Sequence, residues 1–398
     1  MIRIGLIRET KIPVDNRVAL IPSQCKWLQK NFASLKIYAQ PSETRCYTDK
    51  EYEMAGVEIK EELSECDYLF GIKEVHPDSL LSGKKYLFFS HTRKMQPYNR
   101  SLFRAMLEKK ITLIDYECME HEDGQRILGF GFFAGIVGAH NGMMAYGKRT
   151  NTYELPRVYK QPSFRQLIHG YFGIKLPNIK VVITGSGRVA HGLLEVMNLL
   201  GIIELEPDEY LSRNFSYPVF TQLKGSLLYR HKKNSDYHRD EFHKDPQSYD
   251  CLFKPFSEHS DILLNGIYWD SRIPRLFDWE DLLSPRFRIQ TIADITDDIN
   301  GSVPCNLGDG TMEDPVYGVH KQSRERIAPY NDVSIDVVAV GNLPNELPRD
   351  ASRYFGEQLI KYVLEDLFKE GSSVIKRATM VLEGRITTPF AYMEEYSN

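Results

Sequence analysis

The sequence predicts an α/β protein organised around parallel sheets, on three observations. The N-terminal third alternates short apolar strands with helical stretches. A β-branched run at 179–183 passes through a glycine-rich turn directly into an apolar helix. The length, 398 residues with 42% apolar composition, suits two domains with ordinary cores. A net charge of −4 gives no overall basic footprint, which argues against a nucleic-acid partner, and no apolar run approaches the ~20 residues needed to span a membrane. The six cysteines (Cys25, Cys46, Cys66, Cys118, Cys251 and Cys305) are scattered without metal or redox spacing, so free thiols in a reducing cytosol are expected, and no metal site.

Taken in order, residues 1–7 read as a first strand and lack the apolar core and cleavage site of a secretory signal. Glu9-Thr10-Lys11 leads to Arg17-Val18-Ala19-Leu20, and Pro22-Ser23 opens a helix carrying Trp27, Leu28 and Phe32. Residues 35–39 form the next strand, and 49–55 a short helix stopped at Gly56. Strands at 68–72, 86–89 and 111–114 end in Lys73, in Ser90-His91 and in Asp115-Tyr116-Glu117, with a helix over about 98–109 before the third. Open parallel sheets bind ligands outside the carboxyl ends of their strands, so Lys73, His91 and Glu117 can share one site. Singly, each reads as readily as a solvated side chain after a strand. Gly129-Phe130-Gly131-Phe132-Phe133-Ala134-Gly135 reads as a hinge into a close-packed helix through Met143 and Met144, or simply as a tight strand–helix junction.

Ile179-Lys180-Val181-Val182-Ile183 followed by Gly185-Ser186-Gly187-Arg188-Val189-Ala190 is a strand, a tight turn and a helix start. The glycines let the backbone turn and approach a pyrophosphate, Ala190 allows close packing, and the first amides of the helix face the anion. This G-x-G-x-x-A pattern points to NAD or NADP, against the alternative of a glycine-rich turn with no ligand. Glu204 and Glu206 lie near the expected end of the second strand, where a carboxylate accepts from the ribose hydroxyl and repels a 2′-phosphate. That favours NAD slightly; Arg213 just behind would reverse it.

Residues 214–260, with His231, His238, His243 and His259 among many charges, read as a solvated surface insertion whose histidine spacings match no metal pair. Strands resume at 261–264 before Asn265-Gly266-Ile267-Tyr268-Trp269, at 289–292 before Asp294-Ile295-Thr296-Asp297, and at 333–340 before Gly341-Asn342-Leu343-Pro344. These ends can line a nicotinamide pocket, although Asp294 or Asp297 can equally cap its own loop. Residues 351–367 carry Phe355, Leu359, Ile360, Val363, Leu364 and Leu367 at helical spacing.

The set Glu9-Thr10-Lys11, Arg17-Val18-Ala19-Leu20, Gly71-Ile72-Lys73, Phe88-Phe89-Ser90-His91-Thr92 and Asp115-Tyr116-Glu117 resembles the alanine dehydrogenase and saccharopine dehydrogenase superfamily. Gly129-Phe130-Gly131 with Ala134-Gly135, Asn265-Gly266-Ile267-Tyr268-Trp269 with Pro274-Arg275-Leu276, and Asn342-Leu343-Pro344 with Phe355-Gly356 resemble the lysine-forming saccharopine dehydrogenases. The likeness is strongest to the lysine-ketoglutarate reductase part of the bifunctional lysine-degrading enzymes. The resemblance implies two Rossmann-like lobes with mostly parallel, doubly wound sheets and an active site in the cleft between them. The catalytic lobe would comprise 1–134 and 344–398, and the dinucleotide lobe 135–343.

It also implies interconversion of saccharopine with lysine and 2-oxoglutarate by hydride exchange with NAD(P), in a cytoplasmic monomer or small homo-oligomer. By position, Lys73 and His91 match the acid–base pair, Glu117 an active-site acid, and Arg17 and Arg126 the substrate-carboxylate arginines. Gly185, Ser186, Gly187, Arg188, Val189, Ala190, Glu204, Glu206, Asn265, Gly266, Ile267 and Asp294 are the expected cofactor contacts. Gly341 stands where related chains often carry an aspartate. The chain also lacks the second enzymatic half of the bifunctional proteins. The rival readings are another amino-acid dehydrogenase or opine-forming reductase, and a dinucleotide-binding or transhydrogenase-like component without activity of its own.

Overall fold

The computed structural model describes residues 1–397. They form two compact units, Met1–Phe130 together with the chain from Pro348 onward, and Gly131–Leu347. The junctions fall at 130/131 and 347/348, not at the expected 134/135 and 343/344. Gly131 is already the first residue of a long helix, and Leu343–Glu346 is a 3-10 turn still belonging to the second unit.

The first segment lays down β1 (Ile2–Leu6), β2 (Leu35–Ala39), β3 (Glu58–Ile59), β4 (Tyr68–Phe70), β5 (Lys85–Phe88) and β6 (Thr112–Asp115). All five pairings among them are parallel, in the order β3-β2-β1-β4-β5-β6. Parallel neighbours need crossovers, and helices Pro22–Asn31 and Arg100–Glu108 supply two of them. The expected 98–109 helix starts later because Pro97–Asn99 winds as a 3-10 turn before it. Gly56 ends the Asp49–Met54 helix at φ +81°, a left-handed conformation that glycine adopts without a steric penalty.

In the second unit the chain forms β7 (Lys180–Thr184), β8 (Ile203–Glu204), β9 (Val219–Leu223), a hairpin of β10 (Tyr229–His231) and β11 (Tyr249–Cys251), then β12 (Ile262–Asn265), β13 (Thr291–Asp294), β14 (Val316–His320), β15 (Arg326–Ile327) and β16 (Ser334–Val338). The sheet runs β15-β14-β16-β13-β12-β7-β9-β8, parallel from β16 to β8, with β14 antiparallel to both its neighbours. Helix Gly131–Thr150 crosses helix Arg188–Leu199 at glycines. A Cβ on Gly192 would collide with the Phe132 carbonyl, and one on Gly135 with the Val189 carbonyl. This close approach joins two helices; Ala190, expected to pack its helix on the strand, is fully buried.

Residues 214–260 correct the sequence reading most plainly. They are not a solvated insertion. β9 is buried at all five positions and pairs directly with β7, while Tyr229, Phe242, Tyr249, Phe253 and Phe256 join the unit's core. The charges that dominate this stretch sit between aromatics that pack on one another, Tyr229 and Phe242 with ring centroids 4.5 Å apart.

The returning chain completes the first unit. Helix Pro348–Tyr362 breaks at Val363 before a second helix, Leu364–Phe368, where one helix was expected. β17 (Thr379–Leu382) and β18 (Arg385–Ile386) then add an antiparallel edge beyond β6.

Candidate functional site

In the first unit four parallel strands, β1, β4, β5 and β6, end along one edge of the sheet, and their following residues are tied to one another. Glu9, beyond β1, accepts from the backbone N–H of Ile72 (2.7 Å) and of Lys73 (2.9 Å), fixing the turn after β4. Burial and the nearby Asp15 push the Glu9 carboxyl up to about 8, against those two hydrogen bonds. Glu74 accepts two hydrogen bonds of 2.8 Å from Lys11 Nζ and lies 2.8 Å from His91 Nδ1. Burial alone would raise the Glu74 carboxyl; the hydrogen bond and charge of His91, then Lys11, hold it at about 2. Beyond β5 and β6, Asp115 accepts from the Ser90 hydroxyl and backbone N–H and from the Glu117 N–H at 2.7 Å.

His91 has φ +50°, uncommon for a residue with a Cβ. Its backbone is held there from both sides. The Asn99 amide donates to the carbonyls of Ser90 (3.1 Å) and His91 (3.4 Å), and the imidazole stacks on Phe89. A carboxylate accepts, so Nδ1 is the nitrogen that donates in this contact, and Nε2 lies outside it.

Lys73 is half-buried at the end of β4. Burial, then the Arg17 guanidinium, push its ammonium down from 10.5 to about 8; Lys11 adds to this, while Asp15 and Glu74 oppose it. The carboxylates that restrain Lys73 are thus Asp15 and Glu74. Glu117 is paired with Arg126 at 2.7 Å.

Arg17 is buried, gripping Asp15 through Nε (2.9 Å) and a terminal nitrogen (2.6 Å) and lying 4.1 Å over the Phe130 ring. That face of its planar fork, offered by the sequence to a carboxylate ligand, is already used. Arg126 keeps 47% of its side chain exposed.

In the second unit β7 passes into Gly185 at φ +106°, where a Cβ would lie 2.5 Å from the Gly266 carbonyl oxygen, so only glycine fits. Gly187 is the opposite case. A Cβ there would meet nothing within 4 Å, and the Arg188–Leu199 helix begins immediately after it. Its backbone thus opens onto space at a helix N-terminus, which suits an approaching pyrophosphate.

Asn265 and Asp294, expected on the cofactor, spend their side chains inside the protein. Thr184 donates to Asn265 Oδ1 (2.6 Å), and Asn265 Nδ2 donates to Asp294 (2.7 Å) and Ser302 (2.9 Å); Asn306 donates to the other Asp294 oxygen (2.8 Å). This network staples the ends of β7, β12 and β13, and leaves Gly266 and Ile267 to present backbone. Burial raises Asp294 to about 6 against its two amide partners. Gly341 is exposed, and a Cβ there would sit 2.6 Å from Asp309 Oδ2, the end of a side chain that would have to shift.

Glu204 ends β8, the second strand of this unit in chain order, as expected, but β8 is not the strand beside β7. That neighbour is β9, and Glu204 lies on the outer strand β8, in register with Phe220. Glu206 immediately precedes helix Pro207–Ser212 without a capping bond from its side chain, and Arg213 is ion-paired with Glu209 at 2.9 Å. The sequence missed Glu74, Asp15 and the strand end Leu223-Lys224. Glu74 adjoins Lys73 and Asp15 stands two residues before Arg17, so only the spacing hinted at them.

Residues 5–137 match the family model for the alanine dehydrogenase/PNT N-terminal domain. Over 98% of its length the chain is 30% identical to the mitochondrial alpha-aminoadipic semialdehyde synthase of Rattus norvegicus, 47% of which is covered; it spans about half the length of such relatives. The lysine-forming, NAD(+) saccharopine dehydrogenase of Yarrowia lipolytica is 24% identical, with 97% of this chain and 98% of that one aligned. Among solved structures, an L-alanine dehydrogenase superposes with a TM-score of 0.65 at 16% identity, covering 99% of both chains.

Proposed function

We propose, from the match of residues 5–137 to the alanine dehydrogenase/PNT N-terminal domain and the similarity along the chain to a lysine-forming saccharopine dehydrogenase, that this protein belongs to that superfamily and interconverts saccharopine with lysine and 2-oxoglutarate. The observation that carries this reading is the pairing of a half-buried Lys73, pushed down to about 8, with a His91 held by Glu74 on the same sheet edge.

Oxidising the carbon that bears a secondary amine needs that nitrogen unprotonated, and hydrolysing the resulting imine needs one group to activate water and another to protonate the departing amine. Lys73, near 8, exchanges a proton close to neutrality, which an ordinary lysine does not. His91 offers Nε2 for the second transfer. Arg126, the more exposed arginine, is assigned to a substrate carboxylate, while Arg17 acts through its charge on Lys73. Nicotinamide dinucleotide, when bound at the Gly185–Gly187 turn, accepts or returns the hydride. Gly187 leaves it space, the Arg188–Leu199 helix directs its first amides there, and Gly185 sets the turn.

The test is dinucleotide oxidation with lysine, ornithine, alanine and ammonia, each crossed with 2-oxoglutarate, pyruvate and glyoxylate. Turnover confined to lysine with 2-oxoglutarate is expected. Turnover with ammonia and pyruvate, and none with lysine, would replace this reading with an alanine dehydrogenase; turnover with alanine and a keto acid would replace it with an opine-forming reductase.

A further inference from the structure

The sheet order relocates the position that distinguishes the two nicotinamide dinucleotides. In a dinucleotide fold the adenosine ribose lies at the carboxyl end of the strand beside the fingerprint strand, where a carboxylate accepts from a 2′-hydroxyl and a cation accommodates a 2′-phosphate. Here the strand beside β7 is β9. Leu223 is in register with Thr184, and Gly185 N donates to the Leu223 carbonyl at 3.0 Å, so Lys224 stands beside the first glycine of the turn.

Side chains strengthen that placement. Buried Gln222 donates from Nε2 to the Gly185 carbonyl (2.8 Å), and its Oε1 accepts from Lys224 Nζ (3.0 Å). One amide thereby ties the ammonium to the fingerprint turn. The residues that follow are Gly225, Ser226, Leu227 and Leu228, with no carboxylate among them. Glu204 is level with Phe220, four residues short of Lys224, or roughly 13 Å along the strand at about 3.3 Å per residue.

We propose that Lys224 is the cofactor-specificity residue of this chain, its ammonium pairing with the 2′-phosphate so that NADP(H) is preferred to NAD(H). The inference rests on the reading of the Gly185–Gly187 turn as a dinucleotide site. A 2′-phosphate brings close to two negative charges, and the exposed ammonium meets it while giving up little hydration. In an NAD-type site a carboxylate at this strand end accepts from the ribose hydroxyl, and the chain supplies none among 224–228.

The test is calorimetric titration of the full chain with 2′,5′-ADP and 5′-AMP, which differ only in the 2′-phosphate, and with NADPH and NADH. The phosphorylated member of each pair should bind about 10- to 100-fold more tightly, the worth of one charge-assisted contact, with the gap narrowing as salt is raised. Lys224→Ala should bring the ratio close to one and Lys224→Glu should invert it, with circular dichroism confirming the fold. Equal or tighter binding of NADH by the unmodified chain, or a ratio unmoved by Lys224→Glu, overturns this inference and leaves the dinucleotide reading standing. Failure of all four ligands to bind overturns the dinucleotide reading itself, and this inference with it.

Discussion

Replacing Lys73 by methionine should make the protein more stable and less active at once. The folded chain holds this lysine at about 8, against 10.5 for an ordinary one. That gap is worth about 3 kcal/mol at 1.36 kcal/mol per pH unit, an upper figure for a half-buried side chain, so roughly 1–3 kcal/mol is expected. The sign follows from linkage. Below about 8 both folded and unfolded chains carry the proton, and the folded state bears the whole penalty of the desolvated ammonium. Between about 8 and 10.5 only the unfolded chain keeps the proton, and the penalty fades as pH rises. Lys73→Met should therefore raise Tm at pH 7, by about 2–4 °C for each kcal/mol in a unit of this size. The advantage should shrink towards pH 10, while turnover falls ~10²–10⁴-fold. Differential scanning calorimetry at both pH values, with turnover measured alongside, decides it. A lower Tm at pH 7, or a gain that persists unchanged near pH 10, would refute the desolvated, cation-crowded lysine from which the mechanism is argued.

His91→Gln should cost a similar ~10²–10⁴-fold in turnover with little change in dinucleotide affinity, and the double variant with Lys73→Met should lose less than the product of the two. Gly187→Val should abolish dinucleotide binding by calorimetry while leaving stability within about 0.5 kcal/mol of the original, because its Cβ would enter open space and φ −83° suits any residue. Gly192→Ala should do the reverse, lowering Tm through a clash with the Phe132 carbonyl that costs about 1–3 kcal/mol.

The strands that sequence reading places well are those whose β-branched or aromatic run is bounded by turn residues: β2 agrees to the residue, and β5, β7 and β12 to within one. β9 escaped because Thr221 and Gln222 interrupt its apolar run. Both polar side chains are buried and satisfied, Thr221 on the Leu205 carbonyl and Gln222 on Gly185. A polarity count reads such a segment as surface. Missing β9 hid the strand that pairs directly with β7. The break at Val363 was equally invisible, since Leu364 and Leu367 keep the apolar spacing across it.

For the candidate site, sequence shows which residues follow strands but not which charges meet. Lys73, His91 and Glu117 are all at strand ends as expected, yet their partners decide what each can do. Glu117 is occupied by Arg126, and Arg17 by Asp15, so neither is the isolated charge that its position suggests. Glu74 accepts from Lys11 and faces His91 Nδ1, and this leaves Lys73 beside Arg17 and Lys11 with only part of the local negative charge to oppose them. Were Glu74 paired with Lys73 instead, the ammonium would be held up, and the residue would serve as a fixed cation and not as a base. The competence of Lys73 near neutral pH therefore depends on a choice of partner made by its neighbour, and that choice follows from His91 being held at φ +50° with its ring towards Glu74.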